Sequence, residues 1–320
     1  MKAMVRERYG PPEILELREV DMPELTDDGV LVRVHASSVN RADWYMQVGP
    51  WVARLGAGLR RPKERVPGTD FAGVVEAVGK DVTDFKPGDE VFGGRSAAFA
   101  EYVNARKTVA LKPTNVTFEE AAAAPLAALT ALQGLRKAEL QPGQTVLVNG
   151  ASGGVGGFGV QVAKALGAGK VTAVCSTRNV EQARSLGADE VIDYTRDDFT
   201  RAGERYDVLF DNAGTRPWSE LKRVLNPDGR QLMVGLPMLT SARGLIGHMA
   251  GVRIASVGSG RKVVFFITKG NRADMNTLRD LIQSGQVKPL VERTYPLSEA
   301  PEALRYMGTG HVRSKLVITI

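Results

Sequence analysis

The chain has one cysteine and three histidines among 320 residues. A single cysteine excludes an intramolecular disulfide, and three isolated histidines leave no cluster for structural or catalytic zinc, so no metal site is expected. Cys175 lies in an apolar run and reads as a small buried hydrophobe. No apolar run approaches the 18 or so residues of a membrane span, which argues against membrane insertion. Met1-Lys-Ala-Met-Val-Arg-Glu-Arg8 has no apolar core of signal-peptide length, and a cytoplasmic, soluble protein is expected. The net charge is +6, but its basic residues are spread along the chain. Their densest group, Arg54, Arg60, Arg61, Lys63 and Arg65, is broken by glycines and lacks interleaved aromatics, which argues against a nucleic-acid partner. An anionic cofactor accounts for a mildly basic protein more economically.

What is present points to an α/β enzyme: 35 glycines, 43% hydrophobic residues and enough length for two domains. Val146-Leu-Val-Asn-Gly-Ala-Ser-Gly-Gly-Val-Gly156 is an apolar strand running into glycines at 150, 153, 154 and 156, followed by a helical pattern. Such a backbone turns sharply and brings helix N-terminal amides against a phosphate without a side chain in the way. Val155, Phe158, Val162, Ala163 and Leu166 then recur on one helical face, Gly167 suits a helix end, and Lys170-Val-Thr-Ala-Val-Cys175 reads as the next buried strand. Strand, glycine turn, helix and strand make a dinucleotide-binding βαβ unit. Gly150-Ala-Ser152-Gly-Gly154 also fits the G-x-S-x-G elbow of serine hydrolases. Gly156 is unnecessary for an elbow, no His-Gly-Gly-Gly segment lies upstream, and the only downstream histidines are His248 and His311. Ser152 is therefore read as lining the phosphate turn.

The end of the second strand, Cys175-Ser-Thr-Arg-Asn179, carries hydroxyls and Arg178 where an NAD-preferring protein usually places a carboxylate. Ser176 and Arg178 suit the 2′-phosphate of NADP(H), although Arg178 also reads as an ordinary solvated loop residue. No acid lies between Lys170 and Val180.

Upstream, to about Lys112, short apolar segments alternate with turns: Val30 to His35, Gly73 to Gly79, Phe99 to Val103. That pattern predicts an all-β, barrel-like domain. Thr117 to Ala138 reads as helix, with Glu119 and Glu120 in its first turn. Glu190 to Tyr194, Tyr206 to Asp211 and Arg230 to Gly235 read as further strands, Asn276 to Ser284 as helix, and Lys315 to Ile320 as a strand returning to the first domain.

Five segments in this order resemble the zinc-free quinone-oxidoreductase-like branch of the medium-chain dehydrogenase/reductase superfamily. They are Ser38-Val-Asn-Arg-Ala-Asp43, Val66-Pro-Gly-Thr-Asp-Phe-Ala-Gly-Val-Val75, Val82 to Val91, Asn149 to Gly156, and Leu186-Gly-Ala-Asp-Glu-Val-Ile-Asp-Tyr194. The resemblance implies an α/β protein: a GroES-like β-barrel catalytic domain at 1–118 and 285–320, and a Rossmann doubly wound parallel-sheet domain at 119–284. It also implies a homodimer or larger oligomer. Zinc-dependent relatives place a ligand cysteine where this chain has Asn40, and Gly-His-Glu where it reads Gly68-Thr-Asp70.

Carried over from the family, cofactor contacts fall on Asn40, Thr130, Ser152, Gly153, Gly154, Val155, Ser176, Arg178, Tyr194, Asn212, Gly235, Leu236, Phe265, Phe266 and Lys315. Asn40 is also a candidate for orienting the substrate, and Tyr45 a candidate proton donor, against an aromatic packing role. The expected activity is NADPH-dependent hydride transfer to a small-molecule quinone or α,β-unsaturated carbonyl. A zinc-independent NADP alcohol or carbonyl oxidoreductase, and a catalytically weak NADPH-binding regulatory or RNA-binding protein, are the alternatives.

Overall fold

The computed structural model describes residues 1–94, 97–234, 247, 251–252, 256 and 259–320, with positions 51 and 52 by backbone alone. The chain divides into two compact units, Met1–Leu129 with Lys269–Gly285 and Pro289–Ile320, and Thr130–Thr268 with Gln286–Lys288.

The first unit begins with β1 (Lys2–Val5), β2 (Glu16–Glu19) and the long β3 (Val30–Val39). Helices α1 (Arg41–Val48) and α2 (Trp51–Ala57) precede β4 (Asp70–Val78), β5 (Glu90–Gly94), β6 (Tyr102–Ala105) and β7 (Val109–Leu111). Val30, Val32 and Val34 alternate with less buried residues along β3, so one face enters a core with Phe71, Val75, Val91, Val103 and Val109. Burying each such side chain is worth about 1.5–3 kcal/mol.

The expected helix over 117–138 is two helices, α3 (Phe118–Ala122) and α4 (Pro125–Lys137). Pro125 has no N–H to continue a helix that begins before it. Thr117 caps α3 reciprocally: its Oγ1 accepts from the Glu120 amide at 3.2 Å, and the Glu120 carboxylate accepts from the Thr117 amide at 3.0 Å.

The second unit holds a six-stranded parallel sheet. Its strands are β8 (Thr145–Asn149), β9 (Lys170–Cys175), β10 (Glu190–Asp193), β11 (Tyr206–Asp211), β12 (Leu225–Met233) and β13 (Lys262–Val264). Their spatial order, β10-β9-β8-β11-β12-β13, is the 3-2-1-4-5-6 order of a Rossmann sheet. Helices α5 (Gly154–Ala165), α6 (Val180–Ser185) and α7 (Trp218–Leu221) lie between these strands. Leu147, Val174, Tyr206, Leu209, Trp218 and Leu221 share one core there.

The chain then returns to the first unit through α8 (Arg272–Gln283), β14 (Val291–Pro296), α9 (Ala300–Gly308) and β15 (Lys315–Thr319). β15 pairs antiparallel with β3 and parallel with β14, completing a sheet of order β14-β15-β3-β4-β5-β7 with β6 also on β3. Residues 119–129 and 269–284, assigned from sequence to the nucleotide domain, group with the GroES-like unit. The physical reason is local: α3 packs on β3 and β4, the Leu126 amide donates to Asp70, and α8 packs on β7. Among the described residues no helix is long and apolar enough to cross a membrane.

Candidate active site

In a parallel sheet all C-terminal strand ends lie on one edge, and ligands bind where the strand order reverses. Here that point lies between β8 and β11. Asn149 closes β8 and donates to the carboxylate of Asp211, the end of β11, at 2.9 Å. Asp211 is buried, and burial pushes its carboxyl above the usual range while the amides and side chains around it oppose the shift. Its other acceptor positions take Gln231 Nε2 at 3.2 Å and the Gly214 amide at 3.1 Å.

The glycine turn leaves β8 at this point. Gly150 has φ +84°, in the left-handed region where glycine is favoured. A Cβ on Gly156 would lie 2.0 Å from the Gly150 carbonyl oxygen, so α5 starts against the turn itself. The N-cap of α5 is Gly153, which offers no capping side chain. First-turn amides at Gly154 and Val155 are thereby left for an anionic ligand, the arrangement a pyrophosphate requires. Asn212, one residue past β11, donates to the Gly150 carbonyl at 3.4 Å and stands beside the turn. These residues fit a dinucleotide. Among the described residues no cluster expected of a serine nucleophile is assembled around Ser152, whose carbonyl accepts from Gln182 at 3.4 Å.

Ser176 and Arg178 follow β9, and Tyr194, 56% exposed, follows β10. Sequence reading along one strand found no carboxylate near Arg178, yet β10 supplies one: Asp193 pairs in register with Cys175. Its carboxylate accepts from Thr177 Oγ1 at 2.5 Å and from the Thr195 hydroxyl and amide, which hold its carboxyl below the usual range. The neighbouring parallel strand is the signal that would have found it. Cys175 is 1% exposed, and burial pushes its thiol up to about 11, consistent with an inert packing residue.

Thr130 and Thr268 share a 2.8 Å hydroxyl contact. Phe265, just past β13, packs on the core of this unit, and Phe266 lies over Gly134, where an added Cβ would come within 3.1 Å of the ring. Gly235 and Leu236 lie outside the described residues.

The first unit contains a separate buried polar cluster. Asn40 is the N-cap of α1, Asp70 opens β4 and Lys315 opens β15; they are 6%, 0% and 3% exposed. Lys315 Nζ donates to Asn40 Oδ1 and lies 3.7 Å from Asp70 Oδ2. Asn40 Nδ2 and Ser38 Oγ each donate to Asp70 Oδ2 at 2.9 Å. Burial raises the Asp70 carboxyl and lowers the Lys315 ammonium, each opposed by the other's charge. Asp43 accepts from the Asn40 amide at 2.8 Å and from Thr69 Oγ1 at 2.7 Å, and burial pushes its carboxyl up to about 6. Sequence reading named Asn40 and Lys315 but passed over Asp43 and Asp70 as partners. Lys315, carried over as a cofactor contact, is engaged here with Asn40 and Asp70.

Tyr45 lies five positions along α1 from Asn40, about 140° round the helix axis, and stays outside this cluster. Its ring meets Trp44 edge-on at 5.2 Å, with the Arg41 guanidinium 5.5 Å from its centre. Among the described residues no group of three or more His, Cys, Asp or Glu side chains is placed to hold a metal ion. An ammonium between Asn40 and Asp70 is a poor fit to a divalent cation at the same place.

A Rossmann sheet with a glycine turn at its reversal point, joined to a GroES-like unit, defines a nicotinamide-dependent oxidoreductase. The chain belongs to the quinone-oxidoreductase-like branch of the medium-chain dehydrogenase/reductase superfamily. Residues 26–125 match the alcohol dehydrogenase GroES-like domain, and residues 186–318 match a family described as zinc-binding dehydrogenase. The chain is 34% identical over 333 residues to 2-methylene-furan-3-one reductase of Solanum lycopersicum, covering 99% of this chain and 79% of that protein. It is 35% identical over 333 residues, with the same coverage of each, to the chloroplastic NADPH-dependent alkenal/one oxidoreductase of Arabidopsis thaliana. The structure of Escherichia coli quinone oxidoreductase complexed with NADPH superposes with a TM-score of 0.80 at 26% identity, covering 100% of both chains.

Proposed function

We propose that this protein reduces quinones or α,β-unsaturated carbonyls with NADPH, without zinc. The observation that carries the reading is the donor set at Asn40 and Asp70: it accommodates the Lys315 ammonium and contains neither cysteine nor histidine. Without a Lewis acid to polarise the oxygen, simple alcohol oxidation lacks the main catalytic device of the zinc-dependent relatives. A quinone or enone instead spreads the incoming negative charge over its own conjugated system. The names of the Solanum and Arabidopsis relatives support the same substrate class.

Bound NADPH supplies the hydride. The amides of Gly154 and Val155, with Ser152 and Gly153 in the turn, hold the pyrophosphate, and Asn212 borders the adenosine ribose. Ser176, Arg178 and Tyr194 surround the 2′-phosphate, while Thr130, Phe265 and Phe266 wall the nicotinamide side. The Asp193 carboxylate, held by the Thr177 and Thr195 hydroxyls, is a local feature opposed to a 2′-phosphate. Asn40 orients the acceptor oxygen, and the proton that completes the product comes from water or Tyr45. A cytoplasmic homodimer belongs to this reading and is checked by size-exclusion chromatography with light scattering.

Steady-state oxidation of NADPH and NADH with a panel of quinones, enones, aldehydes and alcohols tests it. Turnover is expected with quinones or enones, faster with NADPH, and none with simple alcohols. Tight NADPH binding with no turnover of any acceptor would overturn the enzyme reading and favour a nucleotide-binding regulator.

A further inference from the structure

Three neighbouring strands of the first unit bring one polar cluster together. The register pairs Ser38 with Asp70 and Val39 with Leu316, so one step further Lys315 comes opposite Asn40. Lys315, Asn40 and Asp70 then close a triangle: ammonium to carboxamide oxygen, carboxamide nitrogen to carboxylate, ammonium beside carboxylate. The Asp70 carboxylate is held in turn by Ser38 Oγ at 2.9 Å and by the Leu126 amide at 3.0 Å.

A buried lysine–carboxylate pair loses more hydration than its attraction restores in many proteins, and an apolar pair of the same volume is often at least as stable. Stability alone therefore does not explain these charges. Their effect on Asn40 does. A carboxamide is nearly symmetric in shape, and its two orientations differ only in which end donates. Here a flip would face the NH₂ with an ammonium and the oxygen with a carboxylate, two repulsive contacts in place of two attractive ones. One orientation is thereby fixed. Of the two Nδ2 N–H groups, one goes to Asp70, and no partner for the other is found among the described residues.

We infer that Asp70 and Lys315 are positioning residues for Asn40: they lock its carboxamide so that the remaining N–H is presented to the carbonyl oxygen of the hydride acceptor. This inference rests on the reductase reading above. As hydride reaches the β-carbon, the electrons of the C=C bond move toward that oxygen, and a preset donor there stabilises the charge without reorganising. The proton that completes reduction is added later at the α-carbon. Lys315 accordingly acts through Asn40 and leaves the nucleotide untouched.

The test compares Lys315→Met, Lys315→Arg, Asp70→Asn and the double variant Asp70→Asn/Lys315→Met. Lys315→Met is expected to lower kcat about 10- to 100-fold with NADPH Kd unchanged to within about twofold, the pattern of a lost transition-state interaction. Lys315→Arg is expected to restore most of the loss. The double variant, with both charges removed, is expected to fold with a higher urea midpoint than either single variant yet keep the low kcat. A double variant with wild-type kcat would overturn the inference, and so would an NADPH Kd raised about tenfold with kcat intact, which would make Lys315 a cofactor contact.

A second readout needs no turnover. With selective ¹⁵N-asparagine labelling of the nucleotide-free protein, the Asn40 NH₂ pair is expected to give two resolved, slowly exchanging resonances that merge or broaden in Lys315→Met. Unchanged resonances would sink the locking claim. If the wild-type protein reduces no quinone or enone but the resonances respond as expected, the reductase reading fails while the lock stands.

Discussion

Asp43 is a carboxyl with almost no water around it, facing Asp70, Lys315 and Arg6. Burial, the largest influence, pushes it up from the ordinary 3.8 to about 6, while the Thr69 hydroxyl and the Asn40 amide pull the other way. The folded state therefore binds its proton more tightly than the unfolded chain does. The associated stability, about 3 kcal/mol, is fully present below the unfolded value and is lost as pH rises from about 4 to 6. Asp43→Asn, which keeps an oxygen for one of the two donors, is expected to flatten this dependence. Urea unfolding at closely spaced pH values checks it: the wild-type midpoint minus that of the variant should fall between about pH 4 and 6. A difference that is constant over that window would show that Asp43 does not titrate there. Asp43 was visible in the sequence only as part of a motif. Its shift depends on Thr69, 26 positions away, and on β4 and β15 closing around α1, which no local pattern reveals.

Helix α1 and the segment after it are fastened in part by the residue that follows β1. Arg6 is 4% exposed; its Nη1 donates to the Met46 carbonyl at 2.7 Å, its Nε to the Glu64 carbonyl at 3.2 Å, and its amide to the Arg65 carbonyl at 2.8 Å. The guanidinium thus ties the Met46 carbonyl before α2 to the Glu64 carbonyl after it, and burial lowers its pKa. Arg6→Met preserves much of the volume but leaves two carbonyls without a donor, at an expected cost of about 3 kcal/mol in urea unfolding. Limited trypsin digestion should then cut at Arg54, Arg60 or Lys63 well before any other site. Resistance equal to the wild type would show that the loop is held by other contacts. The elements that were legible in the sequence had a local signature, such as the strand and glycines from Val146 to Gly156. The helix over 117–138 is divided at Pro125, a local signal the reading passed over, whereas Asp193 reaches the Ser176–Arg178 turn only through strand pairing, a contact 15 or more positions distant in sequence.

The order of motifs along the chain carries the architecture: an antiparallel unit, an inserted Rossmann unit and a terminal strand that rejoins the first. Its boundaries were less legible, because α3 and α8 belong to the first unit through what they pack on, which the local sequence does not carry. Since the two units have separate sheets and separate cores, a ligand held by strand ends of the second should protect that unit first. NADPH at about 100 times its Kd is expected to add about 2.7 kcal/mol of stability. Hydrogen exchange should slow at 150–157, around the glycine turn, and at 176–179 and 193–196, around the Ser176 and Tyr194 turns. NADH shares the pyrophosphate but lacks the 2′-phosphate, so it should protect the first of these segments and leave the other two near their unliganded rates. Arg178→Ala should make NADPH behave as NADH does, weakening it about tenfold through loss of a charge-assisted hydrogen bond. Equal protection of all three segments by the two nucleotides would place the preference elsewhere and make the Asp193 carboxylate, held by Thr177 and Thr195, the dominant group at that turn.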